Sequence, residues 1–286
     1  MILVTGANGA NGSELVKLLA SRNIPLRAMV RSGSHATELA AVAGVEVVAG
    51  DFDDRASVEL ALRGIERAFL LTNSTERAQE QQRGFVAAAA RAGLKHIVKL
   101  SQFAADEASP VRFLRYHARI ERAIIESGMA YTFLRPNLFM QGLVSFSRSI
   151  RTEGRFYAAA RDARISVVDV RDNAAVAAAA LTEPGHEGRT YTLTGPAALT
   201  HAEMAAGLSE ATGRPIAYVD VPPAAMRDAL LGMGAPPWQA DGLIEDYAHY
   251  RRGEAASAAS GVQDATGQAP RPFAVFARDY AAAFRN

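Results

Sequence analysis

The chain has 286 residues, 49% of them apolar, and its 31 basic and 30 acidic side chains leave a net charge of +1. That balance is too apolar for a disordered chain and argues against a dedicated nucleic-acid surface. There is no cysteine, so disulfide staples, thiolate catalysis and cysteine-based zinc sites are excluded. No basic leader precedes the first apolar segment, and no run reaches the ~18 apolar residues of a membrane span. A cytoplasmic protein without a membrane anchor is the expectation.

In chain order, residues 2–5 read as a buried strand, and residues 13–21 show helical apolar spacing at Leu15, Val16, Leu18 and Leu19. Residues 26–30 read as a second strand, 35–42 as a helix and 45–49 as a third strand. A helix through Leu62 follows, then a strand at 68–71, a long helix at 76–92, a strand at 96–100, a helix at 111–127 and a strand at 131–134. Short apolar strands alternating with helices predict an α/β fold: a doubly wound parallel sheet covered on both faces.

The rhythm changes after about residue 140. Residues 166–170 read as a strand, 173–181 as an alanine-rich helix, 190–193 as a strand and 201–212 as a helix. A strand at 216–221 and helices at 222–231 and 238–250 follow. Residues 253–272 read as loop with short turns, and 273–284 as a closing helix. The expected division is a dinucleotide-binding domain at 1–140 and a smaller substrate lobe at 141–286, with some later segments returning to the first domain.

Three glycines, Gly6, Gly9 and Gly12, stand between the first strand and the first helix. In that context one lets the chain turn sharply, one lets backbone approach a pyrophosphate, and one lets helix pack on strand. The phosphate charge then meets unpaired N–H groups at the helix N-terminus. The second strand ends at Arg31, where an acidic residue would hold an adenosine ribose hydroxyl. An arginine there suits a 2′-phosphate instead, favouring NADP(H), and Ser32 and Ser34 can add hydroxyl donors. Asp51 and Phe52 follow the third strand and can border the base. Asp53 and Asp54 read more simply as a helix cap. Thr72, Asn73 and Ser74 follow the fourth strand, near the expected nicotinamide ribose or as a cap for the next helix.

Ser101 and Gln102 end the central fifth strand, where ligands bind in such sheets. His117 and Glu121 share one face of the following helix. Glu121 can orient or charge-pair His117, in a catalytic or a purely structural pair. Asn137 offers an amide near the nicotinamide end, and Phe139, Met140 and Phe146 can line an apolar pocket. No Tyr-x-x-x-Lys pair exists, since Tyr116 is followed four positions later by Ile120. No metalloprotease motif, phosphate-loop lysine or serine elbow is present, and the six histidines are scattered without metal-ligand spacing.

The segments "MILVTGANGANGSE", "VVAGDFDDRASVELALRGIERAFLLT", "HARIERAIIESGMAYTFLRPNLFMQG" and "YTLTGPAALTHAEMAAGLSEATGRPI" together resemble the NmrA-like atypical short-chain dehydrogenase/reductases over nearly the whole chain. Within that family the chain looks most like the triphenylmethane-dye reductase, azoreductase and NAD(P)H:quinone reductase subgroup. The resemblance implies NADP(H) held by Thr5, Gly6, Asn8, Gly9, Ala10, Asn11 and Gly12, with Arg31 and the Asn137 segment. It also implies a cleft in which Phe139, Met140 and Trp238 wall an aromatic substrate. His117 falls where isoflavone-reductase-like relatives carry a catalytic lysine, so it is the catalytic candidate, as proton donor, as cofactor-positioning group or as structural residue.

Two functions follow as expectations. One is NADPH-dependent hydride transfer to an electrophilic quinone, azo compound or triphenylmethane dye. The other is a non-catalytic NADP-binding redox sensor. A third, a reductase or isomerase of small sugar- or phenylpropanoid-like metabolites, needs polar cleft groups that the sequence does not place. Pairing into a homodimer is compatible with the pattern, because helices that pair at an interface look like any half-buried helix.

Overall fold

The computed structural model describes residues 1–31 and 39–285. The predicted helix at 35–42, with Ser32 and Ser34, falls mostly outside them. The main sheet has seven strands, β1 (Ile2–Val4), β2 (Leu26–Val30), β3 (Val45–Ala49), β4 (Arg67–Leu70), β5 (His96–Leu100), β6 (Ala130–Pro136) and β8 (Arg189–Leu193). Their spatial order is β3-β2-β1-β4-β5-β6-β8, and every pairing is parallel. Strand order reverses between β1 and β4, the point at which such sheets open a crevice beyond their carboxyl ends. The doubly wound α/β reading is therefore correct.

Helices α1 (Ala10–Ser21), α2 (Arg55–Ala61), α3 (Ala78–Arg91) and α4 (Arg112–Glu126) cross over between strands. Helix α1 buries Leu15, Val16 and Leu19. Helix α4 is strongly amphipathic and turns Phe113, Leu114, His117, Ile120, Glu121 and Ile124 inward. Helix α6 (Val170–Thr182) packs on α1, and its run of alanines allows close approach. Strand β8 pairs with β6, Thr132 opposite Arg189 and Pro136 opposite Leu193. Thus chain beyond residue 140 completes the main sheet and covers one of its faces.

A second core gathers Phe156, Ile165, Met204, Leu208, Tyr247, Tyr250, Phe276 and Phe284. Around it stand α5 (Ser147–Glu153), α7 (His201–Thr212), α8 (Pro223–Gly232) and α9 (Pro237–Arg251), with α10 (Gly261–Thr266), α11 (Phe273–Asp279) and α12 (Ala281–Phe284) closing the chain. Helix α7 opens on a reciprocal cap between Thr200 and Glu203 and ends at left-handed Gly213.

Four sequence expectations need correction. Residues 166–170 form no regular strand: the extended chain there makes only single bridges, Phe139 with Val168 and Ile165 with Leu199. Asp169 then caps α6 by accepting from Arg171 N. Strand β7 (Arg155–Ala158), paired in parallel with β9 (Ala217–Asp220), was not expected, because its partner lies some sixty residues away. The loop at 253–272 contains α10, and the closing helix is broken at Tyr280.

Candidate active site

A cavity of about 410 Å³ lies beyond the carboxyl ends of β1, β4 and β5. One end is the glycine loop, contributed by Gly6, Asn8, Gly9, Ala10 and Asn11. Thr72, Asn73, Ser101, Gln102 and His117 line it from the ends of β4 and β5 and from α4. Phe103, Phe113, Leu138, Phe139, Leu243 and Tyr250 supply apolar and aromatic wall, and Asp246 and His249 line the same space. The volume and the mixture suit a small-molecule site.

The three glycines differ in their surroundings. Gly6 has φ +62°, the left-handed region that favours glycine. A Cβ on Gly12 would stand 2.1 Å from Gly6 O, inside the loop's own backbone. A Cβ on Gly9 would meet only Gly6 O, at 3.4 Å, and otherwise occupy open space on the cavity lining. The loop is thus a cradle bounded by backbone at the start of a helix, and it fits a dinucleotide pyrophosphate. Thr5 lies beneath, fully buried, its hydroxyl accepting from Leu71 N at 2.9 Å.

Arg31 and Asp51 lie apart from this cavity, in a depression of about 210 Å³ shared with Asp54 and Ser57. The Asp51 carboxylate accepts from Asp53 N at 2.9 Å, which folds the turn before α2. Phe52 packs on Phe85, ring centroids 5.8 Å apart, and lines neither space.

Beneath the cavity the structure assembles a chain that sequence reading missed. Lys99 on β5 is fully buried. Its ammonium donates to Gln82 Oε1 at 2.7 Å and Leu100 O at 3.0 Å, and lies 3.1 Å from His117 Nδ1. Gln82 in turn donates to Thr72 Oγ1 at 2.7 Å. Burial pushes the Lys99 ammonium down to about 7, opposed by Glu121. Burial, then the Lys99 and Arg135 cations, hold His117 well below its ordinary range, so the imidazole is neutral at neutral pH. A lysine in the middle of a wholly buried strand was the available signal.

Glu121 is not the partner of His117. It accepts from Ser101 Oγ at 2.5 Å and from Arg135 Nε at 3.0 Å, which ties the end of β5 to α4 and β6. The Asn137 amide is likewise engaged within the protein, donating to Ser166 Oγ at 2.8 Å and Ala255 O at 2.9 Å. Phe139 lines the cavity. Met140 is buried in the second core, and Trp238 stands behind Phe113 and Tyr116, centroids 5.3 and 6.2 Å away. Neither faces the cavity, because the short 3₁₀ turn after Phe139 carries Met140 inward and Phe113 intervenes before Trp238.

Helix α9 contributes polar groups that sequence reading did not single out. Asp246 is buried, and both its oxygens accept from Gln102 Nε2 at 3.1 Å. Burial pushes its carboxyl up to about 7, Gln102 opposing and Glu245 reinforcing. His249 Nδ1 lies 2.5 Å from Glu254 Oε2, while His249 Nε2 is buried and finds no partner among the described residues.

A glycine-loop sheet, a crevice at its switch point and an aromatic wall to which helix α9 contributes define a dinucleotide-dependent enzyme architecture. The profile described as the NmrA-like family matches residues 1–251, and the chain belongs to that family. It is 40% identical to the NAD(P)H azoreductase of Xenophilus azovorans over 99% of each chain. It is 41% identical to the (4-alkanoyl-5-oxo-2,5-dihydrofuran-3-yl)methyl phosphate reductase of Streptomyces griseus, again over 99% of each. Among solved structures, the NADPH complex of the Escherichia coli quinone oxidoreductase QOR2 superposes with a TM-score of 0.86, at 29% identity over 98% of this chain and 99% of that one. The Citrobacter sp. triphenylmethane reductase complexed with NADP(H) gives 0.83, at 28% identity over 98% of this chain and all of that one.

Proposed function

We propose that the protein is an NADPH-dependent reductase that transfers hydride to an electrophilic aromatic acceptor, such as a quinone, an azo compound or a triarylmethane cation. The observation that carries this reading is one cavity running from the glycine cradle to the aromatic wall. It lets a nicotinamide and a planar acceptor share a single cleft. The names of the relatives at about 40% identity support a reductase over the sensor.

NADPH, when bound, supplies the hydride. The loop from Gly6 to Asn11 would hold its pyrophosphate and Arg31 its 2′-phosphate. Thr72, Asn73 and Ser101 border the space between cradle and aromatic wall. His117, neutral and tied to Lys99, serves there as a hydrogen-bonding wall group rather than a stored acid. Phe103, Phe113 and Phe139 exclude water from the acceptor.

The test is NADPH consumption with a benzoquinone, a naphthoquinone, an azo dye and a triphenylmethane dye, repeated with NADH. Enzyme-dependent loss of NADPH with at least one acceptor, faster than with NADH, is expected. Tight NADPH binding with no acceptor consumed would replace the reductase with the sensor. Arg31→Ala should raise the Kd for NADPH about 10–100-fold, the loss of a charge-assisted phosphate contact, and change NADH affinity less than about 3-fold. Equal weakening of both cofactors would remove Arg31 from the phosphate site.

A further inference from the structure

A quinone or an azo bond that receives hydride must also receive a proton, and the sequence lacks the tyrosine–lysine pair that usually provides it. His117 is neutral, its Nδ1 already tied to Lys99. Asp246 is a different kind of group. It projects from the second lobe into the cavity lining and is only 5% exposed. Its sole hydrogen-bonding partner among the described residues is the Gln102 amide, reaching both oxygens at 3.1 Å. The charge beside it, Glu245, is held by Arg112 at 2.7 Å, and among the described residues no cation pairs with Asp246 itself. A carboxylate in such a place would be left without the donors that its charge demands, so the neutral acid is the form the site favours.

We propose that Asp246 is the catalytic acid that protonates the acceptor as hydride arrives. This rests on the reductase reading above. Hydride from the reduced nicotinamide brings its electron pair to one end of the conjugated acceptor. The Asp246 O–H bond breaks, its electrons stay on the carboxylate, and the proton bonds to the quinone oxygen or azo nitrogen. The acceptor is reduced by two electrons and the cofactor is oxidised by two. Solvent returns a proton to Asp246 as product leaves. Gln102 acts as a positioning residue: its single amide fixes the carboxyl without supplying a cation that would hold it ionised.

The groups facing Asp246 are consistent with this role. From its own helix come Glu245, Tyr247 and Tyr250; from the β5 end comes Gln102; from α4 comes Tyr116; His117 and His249 line the same cavity. Burial raises the tyrosines above their ordinary range and lowers both histidines, so they are neutral near pH 7. The Asp246 carboxyl, pushed up to about 7, is matched to donation at neutral pH.

The experiment compares two acceptor classes in wild type and Asp246→Asn. Reducing a quinone consumes a proton; adding hydride to a triarylmethane cation gives a neutral product without one. Single-turnover reduction of the quinone should fall about 10²-fold or more in the variant, and reduction of the cation by less than about 5-fold. The fall in wild-type quinone rate above neutral pH should vanish in the variant. Infrared spectra of the NADPH-free protein should show a protonated-carboxyl band that titrates near neutrality and is absent from Asp246→Asn. Equal losses with both acceptors, a larger loss with the cation, or a carboxyl already ionised well below neutral pH would each overturn the proposal. A wild type that oxidises NADPH with none of the acceptors would end the reductase reading, and the donor role with it. A wild type active on quinone whose variant shows no acceptor-dependent difference would end the donor role alone.

Discussion

Gly12→Ala is expected to destroy the nucleotide-binding architecture, and Gly9→Ala to leave it standing while NADPH affinity collapses. The two sites differ in what a methyl group would meet. At Gly12 the new Cβ would lie 2.1 Å from Gly6 O, 2.7 Å from Gly6 C and 2.9 Å from Ala7 Cα. All three are backbone atoms of the turn itself, so no side chain can swing away. Either the loop opens or α1 leaves β1, and α1 carries Leu15, Val16 and Leu19 of the main core with it. Overpacking of this kind costs about 3 kcal/mol or more, a large part of the stability of an ordinary domain. Denaturant unfolding should therefore show a much lower midpoint. At Gly9 the Cβ would approach only Gly6 O, at 3.4 Å, an ordinary contact. Its methyl group would instead occupy the cradle. Stability should change by less than about 1 kcal/mol, while the Kd for NADPH rises about 100-fold or more. A Gly12→Ala protein with the wild-type midpoint would show that the helix does not depend on this approach. An unaltered Kd in Gly9→Ala would take the pyrophosphate out of the loop.

What the sequence revealed and what it hid follow from the range of the interactions. Strands such as Ile2–Val4 and His96–Leu100 are buried on both faces, so they appear as apolar runs between helical patterns. The glycine loop is legible because Gly6, Gly9 and Gly12 fall within seven residues of chain, between β1 and α1. Strand β7 was hidden because it pairs with β9 across a long excursion. Residues 166–170 carried a convincing strand pattern, with apolar Val167, Val168 and Val170, but burial alone does not make a strand. No continuous partner lies beside them among the described residues.

The same distinction separates the parts of the site. Ser101 and Gln102 were legible from their position at a strand end. Their partners were not: Ser101 donates to Glu121, twenty residues away, and Gln102 to Asp246, 144 residues away. The expected His117–Glu121 pair was geometrically reasonable for one helix turn. It fails because Arg135 and Ser101 reach Glu121 from neighbouring strands, while Lys99 reaches His117 from below. Two neighbouring strands, β5 and β6, converge on one helix face, and helical spacing says nothing of the other partners. The acceptor class was legible only through family resemblance, since aromatic wall residues look like core residues until the cavity is seen.

Asp246→Asn should stabilise the protein, and only above a definite pH. In the unfolded chain the carboxyl ionises near its ordinary 3.8; in the folded protein burial pushes it up to about 7. Between these values the folded state binds more protons than the unfolded one, so stability falls as pH rises. The favourable state is complete below about pH 4 and is lost as pH passes through 7. The asparagine variant cannot ionise, and its amide still accepts from Gln102. Its stability advantage should be near zero at pH 4, grow across pH 4–7 and stay constant above. Three units at about 1.4 kcal/mol each set an upper bound near 4 kcal/mol, and about 2–3 kcal/mol is expected after local relaxation. Lys99 shifts the opposite way. Its ammonium is pushed down to about 7 from 10.5, so its penalty is full below pH 7 and relieved towards pH 10. The wild-type profile should then fall from pH 4 to 7 and recover above, while Asp246→Asn loses the fall and keeps the recovery. Parallel profiles for the two proteins would mean that Asp246 ionises normally in the fold. A variant that is slower with quinone yet harder to unfold at pH 8 would mean that this carboxyl is kept at a cost in stability. Simple packing at that position would lower both quantities together.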